Sequence, residues 1–200
     1  KLCEQFLVSR PTVREAVKAL VSAGILEIRR GKGTYVSLLP GLAKDPLGLD
    51  FVMGPDFRLA LIEARLIIEP GVARLAAKNA EDRDIERVAK SVRDMEEIVY
   101  RRMVDVNAEL DFHRSIAEAT KNPVIMRLVP VIMDSIVKTY SDAPRTSGDH
   151  RHALEEHSII LRALAARNAE GAYSAMQHHL EMSYRRTMEK RSASAAFGAG

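Results

Sequence analysis

Apolar residues recur with a helical period along most of this chain. Between Thr12 and Ala23 they fall at Val13, Ala16, Val17, Leu20 and Val21. That spacing is i, i+3, i+4, i+7 and i+8, one face of an amphipathic helix. Ser9 suits the N-cap of this helix, Pro11 its first turn and Gly24 the position just past its end. Upstream, Leu2 and Phe6 lie four apart and predict a short helix, with Val8-Ser9-Arg10-Pro11 as the turn between. Downstream, Ile25, Ile28, Tyr35 and Val36 flank Arg29-Arg30-Gly31-Lys32-Gly33, which predicts two short strands around a glycine-rich tip. Helix, turn, helix and hairpin, in that order, make a winged helix-turn-helix.

The pattern then changes. Two prolines and two glycines between residues 38 and 50 prevent a long regular element, so 40–54 is read as a linker. Beyond it every periodic segment is helical. The stripe Phe57, Ala60, Leu61, Ala64, Ile67, Ile68, Val72 and Leu75 predicts a helix over 55–79 that Pro70 should kink or break. Further helices are expected at 82–101, 104–120, 123–140, 150–167 and 169–190, with a polar loop from Asp142 to Gly148. The fold class is mainly α: a winged helix-turn-helix over 1–39, incomplete at its start, then an all-α bundle of about six helices over 55–191. The small residues of 192–200 are expected to form a flexible tail.

Composition narrows the functions open to this chain. No apolar run approaches the roughly 20 residues of a membrane span, so no membrane partner is expected. The lone Cys3 excludes a disulfide framework and any CxxC metal motif. With no leader in the sequence, the expected location is the cytoplasm. The chain starts at Lys1 rather than Met, so its true start is expected to lie upstream. The net charge of +3 over 200 residues is uneven: residues 1–40 carry +4 and the other 160 carry −1. A basic head on a neutral body favours nucleic acid as a partner.

The apolar stripe of the second helix leaves Thr12, Arg14, Glu15 and Lys18 on its outer side, with Arg10 at the helix entrance. An arginine can bond O6 and N7 of guanine together, and the N-terminal part of a recognition helix reaches base edges. Arg30 and Lys32 lie among glycines that allow close backbone approach, which suits phosphate or minor-groove contact. The alternative is an exposed helix whose charges only keep it soluble. The candidate DNA-binding set is Ser9, Arg10, Thr12, Arg14, Lys18, Arg30, Gly31 and Lys32. The run Leu2 to Leu20, followed by Gly24-Ile25-Leu26-Glu27 and Arg30-Gly31-Lys32-Gly33-Thr34-Tyr35-Val36, resembles the winged helix of GntR-family bacterial transcription regulators. The resemblance places Arg10 and Arg14 at base-contacting positions and Gly31 and Lys32 at the wing tip. The family's domain normally begins with a further helix and an arginine, which precede the point where this sequence starts.

All six histidines lie in the body: His113, His150, His152, His157, His178 and His179. Glu109 and His113 are four apart on a predicted helix and share a face. His157 lies in the stripe Leu154, Leu161 and Leu164, and His179 in the stripe Ala172, Met176 and Ser183. A histidine in an apolar stripe needs a partner when buried. Each alone reads as a satisfied core histidine; three on three helices plus a carboxylate also suit a divalent ion such as zinc or nickel. The segments 62–70, 111–123, 156–160 and 176–180 resemble the FCD effector domain of the FadR subgroup of GntR regulators. That resemblance places a metal set on Glu109, His113, His157 and His179, with Glu109 standing where aspartate is usual. Asp111 sits about 160° around the helix from His113, and His178 is a weaker rival to His179. The resemblance also places an effector-binding arginine at Arg65, whose planar fork suits a carboxylate. The alternative for Arg65 is a surface ion pair with Glu69 at i+4.

These readings imply a metabolite-responsive transcription regulator, a repressor in most of this family. The resemblance further implies a homodimer on a palindromic DNA operator, with a small organic-acid effector bound at a divalent metal ion. An enzyme is not expected. The alternatives are a metal-dependent enzyme using the histidine-rich site, against which no HExxH pair is present, and a metal-free binding module with structural histidines.

Overall fold

The structure, a computed structural model, describes residues 2–37, 47, 49, 54, 56–139 and 147–197. The chain divides into two compact units, Lys1–Val52 and Met53–Gly200. Most of the segment read as a linker, and 142–146 of the polar loop, lie outside the described residues.

In the first unit, α1 spans Leu2–Phe6 and α2 spans Arg10–Ser22. Ser9 caps α2: its Oγ accepts from the Thr12 backbone N–H at 3.3 Å. At the other end the Gly24 N–H bonds the Val21 carbonyl at 3.0 Å and the Ile25 N–H bonds that of Leu20 at 2.8 Å. This pair of bonds requires a left-handed residue between helix and strand, and Gly24 supplies it with φ of 68°. Strands β1 (Leu26–Arg29) and β2 (Gly33–Val36) then pair antiparallel, Leu26 opposite Val36 and Arg29 opposite Gly33. The wing returns within three residues because Gly33 takes a φ of 120° that side chains disfavour. No side chain of α2 is buried.

The second unit holds six helices among the described residues: α3 (Phe57–Asn79), α4 (Asp82–Tyr100), α5 (Val106–Ala119), α6 (Ile125–Lys138), α7 (Ser147–Ala165) and α8 (Ala169–Phe197). α3 packs against α5, α6, α7 and α8. Its small residues Ala73, Ala76 and Ala77 are fully buried, and small side chains at a contact let helix axes approach. Phe112, Ile116, Met133, Ile160, Leu164, Met176 and Leu180 complete the same core. No helix among the described residues is long and apolar enough to cross a membrane.

Three expectations change. Pro70 does not break α3, which runs through it to Asn79. The ring removes one N–H from the helix ladder at a cost of about 3 kcal/mol. Burial of Leu61, Ile62, Val72, Ala73, Ala76 and Ala77 on the two sides of Pro70 offsets that cost. Helix α7 begins at Ser147, inside the segment read as a loop. The segment read as a tail is helical as far as Phe197, because α8 continues through Ser192-Ala193-Ser194-Ala195-Ala196. Alanine is the best helix former, so nothing in that run ends the helix.

Candidate metal centre and nucleic-acid face

Three helices deliver three imidazoles to one point. His113 comes from α5, His157 from α7 and His179 from α8. Each is at most 1% exposed. On α7 the buried stripe Ala153, His157, Ile160 and Leu164 has helical spacing, so His157 faces inward with its apolar neighbours. On α8 the stripe Ala172, Met176, His179 and Leu180 carries His179 inward in the same way. One potential ligand nitrogen from each ring lies within 4.8 Å of the other two. The Phe112 ring stacks on His157 at 3.7 Å between centroids and 11° between planes, which holds that imidazole by packing.

Two carboxylates hold the other two rings. Glu156 Oε2 lies 2.7 Å from His179 Nδ1, and Glu156 also takes Arg186 on both oxygens, at 2.7 and 3.0 Å. Burial pushes the Glu156 carboxyl up, but the bonds from His179 and Arg186 outweigh it and hold the pKa down at about 2. Burial lowers His179 to about 4 against the partial restoring pull of Glu156, so its imidazole is neutral at pH 7. Glu69 Oε2 lies 2.5 Å from His113 Nδ1, while Glu69 Oε1 accepts from Arg65 Nε at 2.5 Å. Burial favours a protonated Glu69, yet the Arg65 charge and then His113 hold its carboxyl far below the usual carboxylate range. Burial likewise lowers the pKa of His113, although the adjacent Glu69 charge opposes it.

Arg65 is 1% exposed. Its pairing with Glu69 is therefore an interior ion pair, not the surface pair weighed above. Its Nη2 lies 2.9 Å from Nε2 and 3.4 Å from Nδ1 of His113. A donor placed along one nitrogen's lone pair would be far from the other nitrogen. Nη2 therefore rests over the ring face, and the in-plane lone pair of His113 is not consumed. Arg65 and the three histidines His113, His157 and His179 thus form one buried cluster.

The donor set fits a divalent ion. His179 Nε2 is buried and has no hydrogen-bond partner, while its Nδ1 is held by Glu156. A buried acceptor of this kind is costly unless a donor or a cation uses it. Neutral imidazoles oriented by carboxylates are the usual arrangement around zinc.

The other candidates separate clearly. Glu109 is buried one turn before His113 but is not in the group of described residues that converges within 4.8 Å. Asp111 is exposed and pairs with Arg114 at 3.5 Å. His178 and His152 are exposed. His150, two helical turns before His157, is fully buried. Periodicity alone points to no role for Glu156 or Arg186 and to only a surface pairing for Glu69. The adjacency of Glu156 to His157 and the i+4 spacing of Arg65 and Glu69 were the available signals.

On the first unit, Ser9, Arg10, Thr12, Arg14, Lys18, Arg30, Gly31 and Lys32 are all exposed. Ser9 and Thr12 bond each other at 2.8 Å as part of the helix cap. Lys18 pairs with Glu15 at 2.9 Å. The wing is braced from within: the Tyr35 hydroxyl donates to the Lys32 carbonyl at 2.9 Å, and Arg29 lies 4.8 Å above the Tyr35 ring. Arg29 is thereby held on the hairpin, while Arg30 and Lys32 occupy its tip.

Comparison with known proteins agrees with this division. Residues 1–36 match the family described as bacterial regulatory proteins, gntR family, and residues 60–182 match the FCD domain. The HTH-type transcriptional regulator LutR of Bacillus subtilis is 32% identical over 185 residues, covering 90% of this chain and 84% of that protein. The HTH-type transcriptional repressor NanR of Salmonella newport is 29% identical, covering 88% of this chain and 70% of that protein. Among solved structures, Streptococcus agalactiae GntR superposes with a TM-score of 0.71 at 33% identity, over 92% of this chain and 85% of that one.

Proposed function

This chain belongs to the GntR family of bacterial regulatory proteins and carries an FCD domain, and from that premise we propose that it is a repressor controlled by a small organic acid bound at a metal site. It is a transcription regulator rather than an enzyme, as its family and relatives are. The observation that carries the proposal is the convergence of three buried imidazoles within 4.8 Å, with Arg65 against one of them.

His113, His157 and His179 would hold a zinc or nickel ion, with Glu109 as the nearby carboxylate one turn from His113. Bound there, the ion supplies Lewis-acid attraction for an anionic oxygen. Arg65 adds a planar donor fork for the same carboxylate. A hydroxy acid, sugar acid or dicarboxylate fits such a pair of groups. In the first unit, Arg10 and Arg14 read bases, while Lys18, Arg30, Gly31 and Lys32 contact the DNA backbone and Ser9 and Thr12 fix the helix entrance. One head per half-site of a palindrome requires a homodimer. Repression is supported by NanR, which is named a repressor. The effector must bind the DNA-competent and DNA-released states with different affinity, since no other property of a ligand shifts that equilibrium.

Elemental analysis of the purified protein tests the metal, and a thermal-shift screen of organic acids tests the effector. One zinc or nickel ion per chain and a metal-dependent rise in melting temperature with a carboxylic acid are expected. A protein that takes up no divalent ion, and is stabilised equally by the acid with or without chelator, contradicts the proposal.

A further inference from the structure

Two arginine–glutamate–histidine chains run into the histidine cluster, and they share one design. Arg65 holds Glu69 Oε1 at 2.5 Å, and Glu69 Oε2 meets His113 Nδ1 at 2.5 Å. Arg186 holds both oxygens of Glu156, and Glu156 Oε2 meets His179 Nδ1 at 2.7 Å. A carboxylate clamped by a guanidinium is an acceptor only. The imidazole nitrogen facing it must therefore carry the proton. A neutral ring protonated on Nδ1 keeps its lone pair on Nε2. His179 Nε2 has no hydrogen-bond partner. The Arg65 group lies over the His113 ring rather than along its lone pair, as the 2.9 and 3.4 Å distances require.

We propose that Glu69 and Glu156 are positioning residues that fix His113 and His179 as Nδ1-protonated tautomers, so that both rings ligate the ion through Nε2. This rests on the metal-site reading above. It adds residues outside the ligand set, Arg186 among them. Arg186 on α8 acts two bonds away: by occupying both oxygens of Glu156 it orients that carboxylate toward His179.

The tautomers are read from 1H–15N correlation spectra of the chelator-stripped protein at neutral pH. The wild-type protein should show His113 and His179 with a protonated Nδ1 and a bare Nε2, and zinc should then perturb Nε2 most. In Glu69→Gln the amide oxygen satisfies Arg65 Nε, and the amide N–H2 faces His113 Nδ1 as a donor. The His113 proton is then expected on Nε2, and zinc affinity is expected to fall about 10- to 100-fold. Glu156→Leu removes the acceptor facing His179 Nδ1, so that ring is no longer held with its proton on Nδ1. A wild-type spectrum with the proton on Nε2 of His179 overturns the inference, and it decides the matter even if a variant fails to fold. Zinc affinity in folded Glu69→Gln within about twofold of wild type also overturns it, being well below the usual outer-shell effect. A wild-type protein that binds no zinc overturns the metal-site reading itself, and this inference with it.

Discussion

The two units place their polar groups in opposite ways. In the first, α2 buries no side chain, and every candidate DNA-contacting residue is exposed. In the second, Arg65, Glu69, His113, His157 and His179 are all 3% exposed or less. A surface reader of DNA works by adding charge where solvent already is, so each charge costs little and contributes separately. An interior site must satisfy every buried polar group at once, and its members depend on one another. The difference predicts strongly coupled, large effects in the body and modest, independent ones in the head.

Removing one partner of a buried pair should have the largest effect. Glu69→Ala leaves Arg65 charged in the core and should cost about 3–5 kcal/mol of stability. Replacing both, as Arg65→Met with Glu69→Leu, should recover most of that loss, because apolar residues of similar volume often match a buried pair. Urea denaturation of the three proteins measures both, and an additive double variant would show that the pair is not coupled. Next in size, His157→Ala should weaken zinc binding by at least about 100-fold, or about 2.8 kcal/mol. A competition titration against a chromophoric chelator reads this directly, and an unchanged affinity would remove His157 from the site. In the head, Arg14→Ala should weaken specific operator binding by about 1–3 kcal/mol and leave the melting temperature unchanged. Equal affinity in a gel-shift titration would take Arg14 out of the interface.

The smallest effect concerns Asp84, which tests whether every buried carboxylate of the body behaves as the cluster does. Asp84 accepts from the Glu81 backbone N–H at 2.8 Å and pairs with Lys121 at 2.5 Å. Burial pushes its carboxyl up, but the Lys121 and Glu81 bonds outweigh this and hold it below the ordinary 3.8. A lowered folded-state pKa contributes stability that is complete above pH 3.8 and is lost as pH falls through the folded value. Asp84→Asn keeps an acceptor for the Glu81 N–H but loses the ion pair with a partly exposed lysine, about 1 kcal/mol or less. Its stability should fall less steeply on acidification than that of the wild type. Parallel acid-denaturation curves would contradict this.

The same contrast explains what could be read from the residues alone. The head was legible because its signals are local. Ser9, Pro11 and Gly24 bound α2, and Gly31 and Gly33 mark the wing. The convergence of His113, His157 and His179 was legible in part, since each sits in an apolar stripe where a polar ring needs a reason. What periodicity cannot supply is distance between helices. Glu156 and Arg186 lie thirty positions apart, and only the packing of α7 on α8 joins them. Arg65 and Glu69 were paired correctly by spacing, but an i+4 pair looks the same on a surface as in a core. Pro70 fails to break α3 for a related reason: a local penalty of about 3 kcal/mol is decisive in an isolated helix and minor in one buried against four others.

The central claim is that the buried histidine cluster controls the DNA-binding head. It is tested most directly by fluorescence anisotropy, with a labelled DNA fragment from upstream of the protein's own gene. The wild-type, zinc-loaded protein is titrated into that fragment with and without each of a panel of hydroxy acids, sugar acids and dicarboxylates. At least one acid should change the apparent Kd by about 5- to 150-fold, the usual range of coupling between sites. The change should vanish in His157→Ala, whose acid-free DNA affinity should match the wild type. An equal shift in both proteins, or none with any acid, would contradict the claim.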